Sequence, residues 1–228
     1  KYFSVNMFKN GLMEGLTVLY YPSGTVKARQ MFKNNILDGL TQFYYEDGNI
    51  KEETELAQGV PNGMHKYYLP NGQLRESCTF KYGLKSGLFW SYSDSGPLKA
   101  IYNYENDRLS GLSEWYREDG TLKSVGNYKD GLADGMTQYF NESGVLESTS
   151  IFKEEKQNGL TKYYYSSNLR KEIFQEGQEP HYRSEEGIPV YRILSFVNGE
   201  PEGSMKYYAK DGTLLTSFVY NDGRVVEH

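Results

Sequence analysis

The side chains best suited to act as nucleophiles or metal ligands in this sequence are one cysteine and three histidines. Their spacing does not predict a catalytic or metal site. Cys78 is accompanied by His65, His181 and His228, which fall at unrelated positions of the chain. Structural zinc sites need short, regular intervals between Cys and His ligands, and no such interval joins these residues. We therefore interpret each histidine as a surface residue with satisfied hydrogen bonds, and Cys78 as a buried structural thiol that is not a nucleophile.

Carboxylates are the other candidates for chemistry, as general acids or bases. Asp47, Asp119, Asp130 and Asp134 all precede or follow glycines in segments typical of turns. Aspartate is favoured in turns because its side chain bonds the nearby backbone. A catalytic pair would need positions that break the surrounding pattern, and these do not. The glycines also lack the strand–glycine–helix context of a phosphate loop. The sequence therefore predicts a protein that is not an enzyme and holds no cofactor or metal.

The elements that position all these residues follow a repeat of 24 residues. A glycine opens each unit; counting it as position 0, leucine or methionine stands at +1, an aromatic residue at +5, glycine at +9 and an aliphatic residue at +11. A fixed period in this range is typical of repeat arrays, in which each unit contacts mainly its neighbours. The opening glycines are Gly15, Gly39, Gly63, Gly87, Gly111, Gly135 and Gly159.

Turn residues predict that each unit is a β-hairpin. Loops such as Pro70-Asn71-Gly72 fit a three-residue connection that ends in a left-handed glycine, which places +5 opposite +11. A similar loop is expected to close each unit, as at Lys129-Asp130-Gly131. The apolar positions +1, +5, +11 and +17 are all odd, as is position +15 of Cys78. Because strand side chains alternate between faces, we expect these positions on one buried face.

The predicted fold is all-β: a single elongated, twisted antiparallel sheet, built as an open meander of tandem hairpins with no room for a helix. Residues 1–228 are expected to form one array. The chain begins at Lys1 inside a repeat, so we expect an upstream targeting segment or further repeats to have been removed. The predicted divisions are a partial unit (1–14), regular units (15–158), a shortened unit (about 159–178), an irregular unit without its opening glycine (about 179–202) and a terminal unit (203–228).

Composition argues against a disordered chain and against nucleic acid or membrane insertion. The 22 tyrosines and 11 phenylalanines argue against disorder. A formal net charge of −5 disfavours nucleic acid, which needs a basic surface. No apolar run reaches the ~18 residues that span a bilayer, so we expect no membrane insertion. A single cysteine cannot form an internal disulfide, so the cysteine content does not distinguish a reducing from an oxidising cellular compartment.

The even positions of the first strand carry the candidates for binding. Position +4 is mostly aromatic, with tyrosines beside it at +6 and Lys or Arg at +12 on the same face. Two interpretations remain open: cross-strand stacking that stiffens a thin sheet, or a recognition surface rich in Tyr and Trp. In the irregular stretch 166–191, the array could bend, project a loop or contain a decayed repeat. The candidate partner-binding residues are Phe43, Tyr45, Tyr67, Trp115, Tyr139, Tyr163 and Tyr207, with His181, Tyr182 and Arg183 in that stretch.

The repeat pattern is clearest in four first halves of units, GLTVLYYPSGTV (15–26), GMHKYYLPNGQL (63–74), GMTQYFNESGVL (135–146) and GSMKYYAKDGTL (203–214), and in one second half, NYKDGLADG (127–135). These segments resemble the MORN family, specifically the variant repeat of bacterial YwqK-type antitoxins. The resemblance implies a fold of tandem hairpins and a binding or assembly role without catalytic residues. It also implies a protein partner, a toxin or effector that this protein neutralises in the cytoplasm. The alternative is a structural or surface-displayed module of a bacterial envelope, exported and bound to an envelope protein; the start of the chain inside a repeat favours export.

Overall fold

The computed structural model describes residues 3–165 and 189–227, and these contain strands, turns and bends but no helix. Twenty-one strands belong to one antiparallel sheet, and two short strands form a separate hairpin. Successive strands pair with each other, so the predicted all-β meander of hairpins is confirmed.

The chain divides into two compact units, each described by itself. The first comprises residues 1–98 and 103–107, and the second comprises residues 99–102 and 108–228. Strand β11 (Leu98–Glu105) supplies residues to both. The strands of the first unit are β1 (Phe3–Val5), β2 (Phe8–Lys9), β3 (Leu12–Met13), β4 (Gly15–Tyr20), β5 (Val26–Lys33), β6 (Ile36–Tyr44), β7 (Ile50–Ala57), β8 (Val60–Tyr68), β9 (Leu74–Lys81) and β10 (Leu84–Tyr92).

The second unit continues the same alternation of strands and turns. Its strands are β12 (Arg108–Leu109), β13 (Gly111–Tyr116), β14 (Leu122–Lys129), β15 (Leu132–Phe140), β16 (Leu146–Lys153), β17 (Lys156–Gln157), β18 (Gly159–Tyr164), β19 (Val190–Val197), β20 (Glu200–Pro201), β21 (Gly203–Tyr208), β22 (Leu214–Asn221) and β23 (Arg224–Glu227).

The loop inside each repeat has the predicted three-residue geometry. In the repeat of Gly39, Tyr44 at +5 lies opposite Ile50 at +11. The backbone N–H of Gly48, whose φ is 95°, donates to the carbonyl of Tyr45 at 3.0 Å. The Asp47 carboxylate accepts the backbone N–H of Asn49 at 2.9 Å, which is the turn role expected for this residue.

The turn between repeats differs from the prediction, because it has two residues instead of three. Lys33 pairs directly with Ile36, and the two residues between them, Asn34 and Asn35, have φ values of 50° and 69°. Two successive positive φ values define a type I′ turn, whose twist matches that of the flanking strands. Asp130-Gly131 forms the same turn, with φ values of 52° and 90°.

A β-bulge in the second strand of each repeat overturns the expected single odd face. Tyr20 at +5 lies opposite Val26 at +11, but Leu19 at +4 lies opposite Ala28 at +13. The extra residue reverses the parity, so positions +13, +15 and +17 share a face with +4. Position +1, predicted to be buried, is therefore open on the other face, where Leu40 is 43% exposed.

The opening glycine is required by a second bulge. Gln30 lies opposite Thr41 and Phe32 opposite Leu37, so residues 38–40 together face a single residue of the neighbouring strand. Gly39 has a φ of 116°, and a Cβ there would lie 3.1 Å from the Met31 Cβ. The same local geometry places Asp134 within β15, immediately before its glycine, and not in a turn as the sequence predicted.

Neighbouring repeats are joined along their turns as well as through their strands. The residue before the opening glycine accepts a hydrogen bond from the next type I′ turn: Glu14 Oε2 from the Asn34 N–H at 2.9 Å, and Asn62 Oδ1 from the Tyr82 N–H at 3.1 Å. The second turn residue also donates to the preceding repeat, as Gly59 does to the Leu37 carbonyl at 2.7 Å. Each repeat therefore satisfies turn amides of the next.

Around the irregular stretch, β18 pairs with β19 as the two strands of one hairpin. Tyr164 lies opposite Val190, as +5 lies opposite +11 elsewhere, and the Tyr165 N–H donates to the Pro189 carbonyl at 2.9 Å. β18 and β19 are thus the two strands of a single hairpin. This register differs from the predicted division into one unit ending near 178 and another beginning near 179. From β19 onward the strands pair in the same register as in the other repeats.

Candidate functional site

The predicted aromatic residues at +4 form a cross-strand row on one face of each unit; we call it the aromatic row. The bulge register alternates +4 with +13 along it, so each ring is separated from the next by a residue on the intervening strand. In the second unit the register runs Trp115, Ser124, Tyr139, Ser148, Tyr163, Arg192, Tyr207. In the first unit it runs Leu19, Ala28, Phe43, Glu52, Tyr67, Glu76, Ser91.

The rings of the aromatic row pack against aromatic residues at +15 and +17, as the reversed parity requires. Trp115 lies 5.8 Å from Tyr102 and 5.6 Å from Tyr128, measured between ring centroids. Tyr207 lies 6.3 Å from Phe218, edge to face. Such contacts stabilise the sheet by about 0.5–1.5 kcal/mol each beyond simple burial. The rings nevertheless stay only half-buried, so each keeps area available to a partner.

In the second unit the space over Ser124, between Trp115 and Tyr139, is an open groove of about 400 Å³. Ser124 is small, and Gly126, the +15 residue, lets Thr137 and the Tyr128 ring lie close to its backbone. A Cβ on Gly126 would lie 3.2 Å from Thr137 Oγ1 and 3.3 Å from the Tyr128 ring. We call this the Ser124 groove; its lining residues are Trp115, Lys123, Ser124, Tyr128, Ala133, Thr137, Tyr139 and Phe152.

The electrostatics of the Ser124 groove are set by phenol groups and one lysine. Burial raises the pKa of Tyr128 and of Tyr139, and the neighbouring carboxylate of Glu155 adds to the effect at Tyr128. Both phenols are therefore neutral at physiological pH. Lys123 at +12 lies on the rim and is exposed. The groove combines neutral ring faces with hydroxyl oxygens, an arrangement suited to binding.

Tyr45, the predicted candidate at +6, makes a bond between repeats. Its hydroxyl donates to the Tyr68 carbonyl at 2.7 Å and lies 3.4 Å from the Tyr67 hydroxyl. Burial, with the Tyr67 hydrogen bond, raises the pKa of Tyr45 to about 12. Tyr165 makes the equivalent bond to the Tyr208 carbonyl at 2.8 Å. In the second unit Arg117 takes this position and donates from Nη2 to the Phe140 carbonyl at 2.5 Å.

Cys78 and His65 face each other across β8 and β9 in the first unit. Cys78 is 3% exposed, and burial raises the pKa of its thiol to about 11, in agreement with a structural thiol. His65 is half-buried and not the surface residue predicted from the sequence. Its Nδ1 lies 2.9 Å from Thr54 Oγ1, and burial lowers its pKa, so the neutral ring is favoured. A protonated thiol beside this histidine is a poor nucleophile.

Of the predicted candidates, the structure places Phe43 and Tyr67 in the row of the first unit and Trp115, Tyr139, Tyr163 and Tyr207 in that of the second. His181, Tyr182 and Arg183 lie outside the described residues. Sequence reasoning missed the groove-forming residues, whose only signal was a departure from the repeat: glycine at +15 and serine at +13. The missed residues are Ser124, Gly126, Tyr128, Ala133, Thr137 and Phe152.

Residues 3–165 and 189–227 contain neither a metal-binding cluster nor a membrane-spanning helix. No group of three or more His, Cys, Asp and Glu side chains there is arranged to hold a metal ion. No helix of sufficient length and apolar character to cross a bilayer occurs in that part of the chain.

Four segments of the chain match the family model described as the MORN repeat variant: residues 13–34, 37–56, 61–82 and 109–130. The chain therefore contains repeats of this type, as the resemblance predicted. Repeats of this family are generally protein- or membrane-binding modules of a non-catalytic kind. No curated protein matches the chain.

Proposed function

With the four matched repeats as premise, we propose that this protein is a non-catalytic module that recognises a protein partner through its aromatic row. The observation that supports the proposal is the row of half-buried rings in the second unit, interrupted by the Ser124 groove. Tyr and Trp dominate the energetics of protein interfaces because they bring large rigid area at low entropic cost. A groove between two such rings is the shape that a partner's anchoring side chain fills.

The row is supported as a binding surface by the packing around its rings. On the same face, Ser113 at +2 and Ala100 at +13 are both 0% exposed, and the Trp115 ring contacts the rings of Tyr102 and Tyr128. These contacts position the Trp115 ring before a partner binds. Pre-organisation of this kind reduces the entropy lost on binding.

By resemblance, the partner class we favour is a toxin or effector that this protein neutralises. A neutralising protein needs a stable one-to-one complex, which commonly buries about 800 Å² on each partner. A row running across several strands offers an extended contact of that kind. An envelope protein as the partner is the competing outcome, which would indicate a surface-displayed module.

The test uses the whole chain and two matched variants in its native host. Trp115→Ala combined with Tyr139→Ala removes both walls of the Ser124 groove, whereas Leu160→Ala removes an exposed side chain, 46% accessible, at +1 on the opposite face. We expect a stoichiometric partner to be retained by the wild type and by Leu160→Ala, but to bind the double variant at least about tenfold more weakly, because hot-spot truncations cost 2 kcal/mol or more.

Folding is checked in parallel by circular dichroism and by amide exchange. Tyr139→Lys serves as a second variant, because its long stem still covers the sheet while its charge opposes ring recognition. Equal partner binding by wild type, double variant and Tyr139→Lys, with all three folded, would overturn the proposal. The identity of the retained partner, toxin-like or envelope protein, decides between the two functional classes.

A further inference from the structure

We propose that the Ser124 groove accepts an arginine side chain of the protein partner, stacked between Trp115 and Tyr139. The inference rests on the proposed function and names the chemistry of the partner residue at its centre. It is carried by two places where the chain fills corresponding positions with its own cationic side chains.

The first is Arg192, which occupies the slot between Tyr163 and Tyr207 in the same aromatic row. It lies opposite Tyr163 on one side and Tyr207 on the other, as Ser124 lies opposite Trp115 and Tyr139. Its guanidinium carbon is 3.7 Å from the centroid of the Tyr163 ring, which is stacking distance. An arginine therefore fits between two +4 rings of this backbone.

The second is Lys85, two residues before the opening glycine of its repeat. Its ammonium lies 4.7 Å from the Phe89 ring and 5.4 Å from the Tyr104 ring, at positions +2 and +17. In the repeat of Gly135 the residue at the same place is Ala133, and the +17 ring, Phe152, remains. Both residues line the Ser124 groove, so the volume that a lysine fills in the first unit is left open in the second.

The groove matches a guanidinium better than a neutral apolar group. A guanidinium has five donors and no acceptor, and it attracts the electron-rich faces of Trp and Tyr. The groove offers two such faces and the hydroxyl oxygens of Ser124 and Thr137. An aliphatic side chain would leave those oxygens without a donor. A carboxylate would meet the negative faces of the rings.

Charged side chains of both signs lie around the groove. Lys123 on the rim opposes a cation, whereas Glu155 acts on Tyr128 with the opposite sign. Arg117 directs its guanidinium to the carbonyls of Leu122 and Phe140. The exposed Lys123 side chain can turn to solvent, and the net charge of −5 favours a basic partner at longer range.

The experiment titrates the ¹⁵N-labelled whole chain with two peptides, acetyl-Gly-Arg-Gly-amide and its citrulline counterpart, which has the same shape without the charge. The chain has two tryptophans, and the indole N–H signal of Trp115 reports on the groove. Trp90, which is 5% exposed, serves as the internal reference. We expect the Trp115 signal to shift with the arginine peptide, the Trp90 signal to stay, and the citrulline peptide to bind about tenfold more weakly.

Ser124→Arg is the decisive variant, because it reproduces the arrangement of Arg192 and leaves both rings in place. We expect this variant to fold, to show the Trp115 shift without peptide, and to lose the response to the arginine peptide. Lys123→Gln is expected to strengthen arginine binding by about two- to fivefold, through loss of one nearby repulsive charge. An unchanged response in Ser124→Arg, or equal binding of arginine and citrulline peptides, would overturn the inference.

The same variants separate this inference from the proposed function. A partner that is lost on removal of Trp115 and Tyr139, yet binds Ser124→Arg as it binds wild type, shows a recognition surface without an arginine at its centre. That outcome ends the inference and leaves the function standing. If the chain binds the arginine peptide but every groove variant binds the partner as the wild type does, the cation site is supported and the proposed function is overturned.

Discussion

The two units are built on one repeat, yet they fill the space between equivalent rings differently. In the first unit the slots of the aromatic row hold Glu52 and Glu76, and Lys27 and Lys51 lie over the tyrosines at +6. In the second unit the slots on either side of Tyr139 hold the small residues Ser124 and Ser148. The backbone register is the same in both, so the difference arises from side chains at positions outside the repeat pattern.

The sheet face opposite the aromatic row also differs between the two units. In the first unit it carries a polar network, in which Gln42 donates to Glu53 at 2.7 Å and the Tyr68 hydroxyl donates to Glu53 at 3.0 Å. In the second unit the polar groups of this face are buried, with the Tyr116 hydroxyl donating to Glu114, and Val125 at the same +14 position is 0% exposed, opposite Gln138. Because its other face is packed, the second unit can leave a groove on the row without losing its structure. We expect stability and binding to be divided between the two faces of that unit.

The largest expected effect tests this difference in packing at position +11. Leu146 is 0% exposed in the second unit, whereas Leu74 at the same position of the first unit is half-buried. Leu146→Ala should lower the free energy of opening its hairpin by about 2–5 kcal/mol, since a buried leucine leaves a cavity. Leu74→Ala should cost about half as much or less. Native-state amide exchange in β9 and β16 measures both; equal losses would remove the distinction between the units.

A smaller effect is expected at the opening glycines. Gly159 and Gly87 have φ values of 125° and 90°, but only at Gly159 would a Cβ meet a neighbour, 3.1 Å from the Ile151 Cβ. Gly87→Ala should cost about 1–2 kcal/mol for its backbone conformation alone. Gly159→Ala should cost more, because Ile151 must move. Urea denaturation followed by tyrosine fluorescence measures the pair, and a larger loss at Gly87 would contradict the role given to the close contact.

The hairpins were predictable from the sequence because turns depend on local residues. The loop Glu46-Asp47-Gly48 specifies its own geometry, and that geometry fixes Tyr44 opposite Ile50. The type I′ turn at Asn34-Asn35 left a signal too, since Asn tolerates positive φ, but the longer loop was predicted there. Four matched segments agree with the repeat found by counting glycines.

The faces were not predictable in the same way. The extra residue of the bulge after +11 is a lysine or arginine in most repeats, and neither residue type is specific for a bulge. One uncounted residue reverses the face assigned to every later position of the strand. The candidates at +4 were nevertheless found, because they precede the bulge. The Ser124 groove was missed, since it depends on what Gly126 lacks and on which strands become neighbours.

An effect of about 0.5–1.5 kcal/mol is expected from Tyr45→Phe, which removes the hydrogen bond to the Tyr68 carbonyl. Tyr67→Phe is the matched control, since its hydroxyl lies 3.4 Å from that of Tyr45 and belongs to the aromatic row. We expect Tyr45→Phe to destabilise the first unit without affecting partner binding, as measured by urea denaturation and by retention of the partner. If Tyr45→Phe abolished partner binding without changing stability, Tyr45 would belong to the recognition surface.

The smallest expected effect is a pH dependence confined to the first unit. His65 has a lowered pKa because of burial, so the unfolded chain binds its proton more readily than the folded chain does. Its contribution to stability is therefore full above the ordinary histidine pKa of about 6.5 and declines as the pH falls below it. His65→Thr introduces the residue found at +2 in the two preceding repeats, Thr17 and Thr41. Amide exchange in β8 and β9 at pH 7.5 and 5.5 should show a loss of protection in the wild type that this variant lacks. Exchange in β15 and β16 should change equally in both proteins, and an equal change in β8 and β9 as well would mean that His65 titrates without coupling to the fold.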